Sequence, residues 1–201
     1  MPTTAVDVHG SKFLINGRET YTEIEGSRPE AHGLLMNARF IQGIFDDKAA
    51  PERFEIFGHD TWDPETNTDR LIAALPEWHR YGLRSFTVGL QGGGPVLTVD
   101  DWASIDNNPY GPTGSEFDDA YAARLDRLVR AADELGMVVI VSLLYASQGH
   151  RLENGRAVRN AVITGSNLLR DAGYTNVIIE VANEHNLDGF ANHPLIHSDQ
   201  G

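Results

Sequence analysis

The sequence contains no cysteine. Disulfides, zinc–thiolate centres and cysteine nucleophiles are therefore excluded, while the compartment stays undecided. Positive charge is scarce: 16 Lys and Arg stand against 29 Asp and Glu, a formal net charge of −13. So acidic a surface repels phosphate backbones and anionic lipid, so no nucleic acid and no membrane partner is expected. A neutral substrate is not repelled. Long apolar runs are missing too. The longest, "MVVIVSLL" at 137–144, is far short of the ~20 residues that span a bilayer. The start, "MPTTAVDVHGSKF", has no basic stretch leading into an apolar one, so no signal peptide is visible. A cytoplasmic location is the default, with secretion after processing left open. There is also no G-x-G-x-x-G and no P-loop lysine. "GLQGGGP" is glycine-rich, but Pro95 and the following "VLTVDDW" do not open a helix, so no cofactor is expected.

What is present is ordinary for a globular chain: 41% hydrophobic and 22% charged residues over 201 positions. Three segments share one grammar of amphipathic helix, glycine and hydrophobic strand. They are "TDRLIAALPEWHRYG" with "LRSFTVGL", "FDDAYAARLDRLVRAADELG" with "MVVIVSLLY", and "GRAVRNAVITGSNLLRDAG" with "YTNVIIEVA". In the second helix Tyr121, Leu125, Leu128, Val129, Ala132 and Leu135 recur at three- and four-residue spacing, one apolar stripe. Gly82, Gly136 and Gly173 stand where helix C-caps need positive φ. Asp63-Pro64 precedes the first helix, and Ser115 and Asp118 precede the second, as N-terminal signals.

The strand segments are near-continuous apolar runs, which predicts a parallel sheet covered on both faces. A further strand is expected at "ARFIQGIFDD", residues 38–47, ahead of the first helix. "KFLINGRETYTEI" predicts a hairpin with a type I′ turn at Asn16-Gly17. Phe13, Ile15, Tyr21 and Ile24 are too apolar for a disordered leader. Either an open doubly wound sheet or part of a (β/α)8 barrel fits the βα order. The missing nucleotide loop puts the barrel ahead.

In parallel α/β folds the functional groups gather at the C-terminal ends of the strands. Those ends carry "QGIFDD", "LQGGGP", "YASQGH" and "NEHN", each polar, hydrogen-bonding or aromatic. "NVIIEVANEHN", residues 176–186, begins as a buried strand and ends in an amide, a carboxylate and an imidazole. This stretch resembles the acid/base strand of clan A glycoside hydrolases, the (β/α)8 group that includes the family 5 cellulases and mannanases. The hairpin with F-x-x-N-G, "GIFDD" after the first barrel strand and the helix-Gly-strand series extend the resemblance over most of the chain.

The resemblance implies a TIM-barrel type α/β fold of which the first four βα units are present. A β-hairpin segment would occupy residues 1–30 and the partial catalytic domain residues 31–201. It implies a retaining O-glycosyl hydrolase acting on a β-linked polysaccharide or oligosaccharide. Glu184 would be the general acid/base and Asn183 would donate to the sugar 2-hydroxyl. Tyr145, Gln91 and His185 would join Asn183 in holding the carbohydrate substrate, with Asn186 beside them. The chain departs from the pattern in two respects. The nucleophilic glutamate of the seventh strand is missing, so the sequence is expected to be the N-terminal half of a barrel. The family usually has an arginine near the first or second strand; Arg84 falls at the wrong end of its strand, which leaves Arg39 undecided, and Tyr145 and Gln148 stand where the family usually has a histidine.

Several residues keep plainer readings. Glu184 is also a solvated strand end if the half-barrel is a non-catalytic carbohydrate-binding or structural unit. Tyr145 suits either core packing or stacking on a sugar. Trp62 suits packing or a subsite wall. Asp46, Asp47 and His185 lack ligand spacing, so no metal is expected. Glu180, inside a strand, is expected to face a basic partner, since a buried carboxylate needs one.

Overall fold

The computed structural model describes residues 2–57, 62–92, 102–185 and 190. Two sheets organise them. The first is antiparallel, in the order β1 (Val6–His9), β2 (Lys12–Ile15), β3 (Arg18–Glu19). Asn16 and Gly17 have φ of 51° and 76° between β2 and β3, the positive angles of the expected type I′ turn. Strand β1 adds to the expected hairpin. It joins β2 through Gly10 at φ 62°, and its Val8 is exposed, so no buried alternation marked it in the sequence.

The second sheet is parallel and follows chain order: β4 (Asn37–Arg39), β5 (Ser85–Gly89), β6 (Val138–Tyr145), β7 (Val177–Asn183). Helices α1 (Pro64–Arg80), α2 (Asp119–Glu134) and α3 (Gly155–Asp171) connect them. Asp63, Asp118 and Asn154 cap the three N-termini with side-chain oxygens that accept backbone N–H groups, which satisfies donors a helix leaves orphaned. Of the two expected signals before α2, Asp118 is the cap. Ser115 instead accepts from Asn160 Nδ2 at 3.2 Å. Gly82, Gly136 and Gly173 all have positive φ.

The strand expected over 38–47 is much shorter. After Phe40 N donates to Thr87 O, the chain turns, with Gly43 N on Phe40 O and Phe45 N on Gln42 O. Helix α1 captures the carbonyls this frees: Asn67 Nδ2 donates to Gln42 O at 2.8 Å and Thr68 Oγ1 to Gly43 O at 2.9 Å. Ile44 and Phe45 are thereby buried, so their apolarity reports core packing rather than an extended strand.

Strands β5 and β6 are covered as expected, and Phe86, Val88, Val139, Val141 and Leu143 pack with Leu125 and Leu128 of α2 in one cluster. Strand β7 is different. Among the described residues it pairs with β6 alone, and Ile179 and Val181 are 43% and 51% exposed. Also among the described residues, no helix is long and apolar enough to cross a membrane.

The parallel sheet is strongly curled. In the ladder Arg39 lies level with Thr87, Ile140 and Ile178. A flat sheet would hold β4 and β7 about 14 Å apart, three strand spacings. Yet Arg39 Nη2 donates to Asn183 Oδ1 at 2.7 Å, five residues beyond that level. Twist and curvature together must bring the first and fourth strands face to face.

Outside the sheet, Arg124 ties the layers together. It is 1% exposed, donates from Nε to Ile44 O at 3.2 Å and from Nη1 to Glu65 Oε1 at 2.9 Å, and lies over the Tyr121 ring. Burial raises the Glu65 carboxyl, but hydrogen bonds from Arg124 and Arg127 outweigh it and hold the group below its ordinary value. A depressed carboxylate stabilises the fold above its unfolded-state pKa, and that contribution is lost as pH falls through the folded value. Glu65→Gln should therefore lower neutral-pH stability by roughly 1–2 kcal/mol, discounted from a fully buried pair because Glu65 is half in solvent. The same variant should have a shallower loss of stability below about pH 4, measured as urea midpoints against pH.

Gly114 is a second point of constraint. Its φ is +73°, and a Cβ there would lie 2.0 Å from Ala157 O in the first turn of α3. Gly114→Ala should cost about 2–4 kcal/mol, the sum of overpacking and a left-handed backbone, read from urea unfolding.

Candidate functional site

The end of β7 brings four of the expected residues to one place. Tyr145 and Asn183 are register partners on β6 and β7. Asn183 is partly buried, and its amide is held at both ends: Oδ1 accepts from Arg39 and Nδ2 donates to Glu184 Oε2 at 3.2 Å. Glu184 and His185 follow on an exposed turn. Asn186, and Gly93 to Pro95 of the glycine-rich loop, lie outside the described residues.

The backbone at Glu184 is unusual. Its φ is +50°, a left-handed conformation that a residue with a Cβ adopts at a cost of about 1–2 kcal/mol. The strand stops there because this angle breaks the extended ladder, and the carboxylate is left against the Asn183 amide. Strain of this kind is retained where surrounding contacts enforce it, and such positions cluster at functional sites.

Tyr145 is close enough to sense both charges. Burial raises the pKa of its hydroxyl, the Glu184 carboxylate raises it further, and the Arg39 guanidinium opposes. At neutral pH the group is a protonated phenol, half-buried, beside a carboxylate and an arginine.

Gln91 is placed differently from its expected role. It is 1% exposed. Its Oε1 accepts from Tyr145 N at 3.1 Å and its Nε2 donates to Asn108 Oδ1 at 2.8 Å. Both ends of the amide are engaged inside the protein, so Gln91 braces Tyr145 from behind.

Asn108 belongs to a network of buried amides. The Asn107 amide donates to Gly92 O, and its Oδ1 accepts from Tyr121 Oη at 2.7 Å and Asp46 N at 3.2 Å. Asn107 N donates to Gln148 Oε1, and Gln148 Nε2 donates to Ile105 O. The segment 105–108 thus lashes together the chain after β4, β5 and β6. Sequence reasoning missed Asn107 and Asn108. The available signal was the pair of amides in "IDNNPYGP", a turn-forming composition with more hydrogen-bonding groups than a surface loop requires.

The residues of "FDD" are also structural. Asp47 is buried and accepts from Ala49 N and Asp106 N, with Arg53 Nε 3.4 Å away. Asp46 accepts from Trp62 Nε1 at 3.3 Å, and burial, only partly offset by that bond, raises its carboxyl above the ordinary range. Trp62 packs against Phe45 and Phe54 at ring separations of 5.7 Å, which is the packing reading. Glu180 has the basic partner expected of it, Arg39, at 3.8 Å.

Two hollows of about 400 and 420 Å³ lie at the opposite end of the sheet, the first lined by Arg84, His79 and Gly136, the second by Asn176 and Gly173. Neither includes Asn183, Glu184 or Tyr145. Among the described residues no group of three His, Cys, Asp or Glu side chains is placed to hold a metal ion. No model of a known protein family matches the chain, and no curated protein is found to be similar to it.

The brace at Gln91 can be tested directly. Gln91→Leu keeps the volume but leaves Tyr145 N and Asn108 Oδ1 unpaired in the interior, which should cost about 2–4 kcal/mol. Urea unfolding measures it, and a change under 1 kcal/mol would mean that water replaces the amide.

Proposed function

We propose that the β7 mouth is the acid/base half of a retaining O-glycosyl hydrolase site for a β-linked polysaccharide or oligosaccharide, carried on the first four units of a (β/α)8 barrel. The single observation that carries this is the Asn183–Glu184 pair. The amide is fixed by Arg39 from across the sheet, and the carboxylate is held beside it on a strained left-handed turn. Two features of the sheet support the barrel reading. The strand order runs β4-β5-β6-β7 without the reversal that creates a binding crevice in doubly wound sheets. The curl that brings Arg39 to Asn183 is the kind that closes a barrel.

In this reading Glu184 gives a proton to the glycosidic oxygen as the bond to the leaving group breaks. A second carboxylate, about 5–5.5 Å away, attacks the anomeric carbon and forms the covalent intermediate. Glu184, now ionised, then takes a proton from the water that releases the sugar. The reading assigns the nucleophile to a strand beyond β7. Asn183 Nδ2 is the donor for the sugar 2-hydroxyl, a hydrogen bond that strengthens as positive charge develops on the ring. Tyr145 offers a half-buried ring edge and a neutral hydroxyl, and His185 lines the rim. The acidic surface, at net charge −13, suits a neutral glycan and disfavours a polyanionic one.

One observation favours a second reading. Glu184 and His185 are both exposed, as they would be in a non-catalytic carbohydrate-binding face. Hydrolysis separates the two, since a binding face retains glycan without turning it over.

In a chain that also carries the nucleophile's strand, Glu184→Gln keeps the shape of the side chain and removes its acidic proton. Turnover of glycosides with poor leaving groups should fall by about 10²–10⁴-fold, while the first step with activated aryl leaving groups is spared. Reducing-sugar release and aryl-glycoside bursts measure the two effects. A variant with full activity on a natural glycan would sink the assignment.

A further inference from the structure

We infer that Glu180, which lies below the mouth within β7, is a positioning residue that sets the orientation of the Asn183 amide through Arg39. The inference rests on the glycosidase reading for its catalytic consequence, and on geometry for its mechanism.

One guanidinium makes both contacts. Arg39 Nη1 is 3.8 Å from Glu180 Oε1, while Nη2 donates to Asn183 Oδ1 at 2.7 Å. The first separation is an ion pair rather than a hydrogen bond. It fixes the place of the charge, and the second bond fixes the amide. Glu180, Arg39, Asn183 and Glu184 then form a chain of one ion pair followed by two hydrogen bonds.

Glu180 carries a cost that a structural role alone does not explain. Its Oε2 is buried with no hydrogen-bond partner among the described residues, and so is Oγ of Ser142, its register partner on β6. A buried, unpartnered carboxylate oxygen is unfavourable, and a neutral side chain would fill the position at lower cost. What a neutral side chain cannot do is hold Arg39 on the inner face.

The consequence follows from donor and acceptor counts. An amide has an acceptor end and a donor end. With Arg39 against Oδ1, only the donor end is left for Glu184 and for a substrate hydroxyl. Flipping the amide would set two N–H donors against each other. If Glu180 is neutralised, Arg39, whose side chain is 45% exposed, is free to swing into solvent or to pair with Glu184 itself. The amide then loses its anchor and Glu184 gains a competitor.

The experiment compares Glu180→Gln and Glu180→Asp with the wild-type protein in two readouts. The first is hydrogen exchange of the Asn183 side-chain amide by ¹⁵N NMR, which needs no activity. The second, in a chain that also carries the nucleophile's strand, is steady-state hydrolysis of β-linked glycosides with and without a 2-hydroxyl. Glu180→Gln should speed Asn183 amide exchange about tenfold, lower kcat about tenfold and leave KM within about twofold, the scale typical of an outer-shell partner. The penalty for removing the 2-hydroxyl should shrink in the same variant. Glu180→Asp should recover part of each loss. Unchanged Asn183 exchange in Glu180→Gln overturns the proposal whatever happens to kcat, as does a parallel loss of kcat, KM and fold in both variants. If a wild-type chain that also carries the nucleophile's strand hydrolyses no glycoside, the glycosidase reading fails alone and the exchange data still decide whether Glu180 positions Asn183.

Discussion

A single arginine spanning a curled sheet is the contact on which the mouth depends. Arg39 starts on the first parallel strand and ends on the fourth, so its bond exists only if all three intervening ladders are in register. A slip of one residue in any of them would turn the side chains of that strand to the opposite face. The Arg39–Asn183 bond is therefore a report on the whole sheet, and the sheet in turn decides what Asn183 can offer to a ligand.

Behind the mouth a different kind of order operates. The amides of Gln91, Asn107 and Gln148 meet backbone groups of separate segments, and the Asn108 amide joins Gln91 to its own loop. Each bond is modest by itself, but an unmade one in this interior costs more than a made one contributes. A network of this sort tolerates few alternatives, which makes the loops behave as one piece. The helix layer is joined to it by Tyr121, whose ring lies under Arg124 and whose hydroxyl reaches Asn107.

Local rules gave the sequence most of its legibility. Helix caps, C-terminal glycines and the Asn16-Gly17 turn depend on a few adjacent residues, and each is visible without knowing the fold. Parallel strands β5 and β6 were legible because burial on both faces leaves continuous apolar runs, and β7 carries such a run although Ile179 and Val181 are exposed. The strand at 38–47 was overextended because Ile44 and Phe45 are buried for another reason. Periodicity alone does not separate a strand from a core-facing turn. Within the site, Asn183 and Glu184 were legible by their place at a strand end. Arg39 stood only as an undecided match to the family's arginine, and its bond to Asn183 was not legible, since that partner lies 144 residues away. Gln91 was marked as a site residue because it is polar at a strand end, a property that does not reveal whether an amide faces the mouth or the interior.

The first described residues are bound to the end of α2 and to the turn that leads into β7. Thr3 and Thr4 grip Asp133 through backbone and hydroxyl groups. Val6 N donates to Thr175 O, and Thr175 Oγ1 donates to Thr4 O across 171 positions. During synthesis the chain is delivered from its N-terminus, at about 5–20 residues per second. Strand β1 can pair with β2 early, but the contacts of Thr4 and Val6 with Thr175 wait many seconds, until the segment ahead of β7 has left the ribosome. Closing that contact fastens the foot of the strand that bears the mouth.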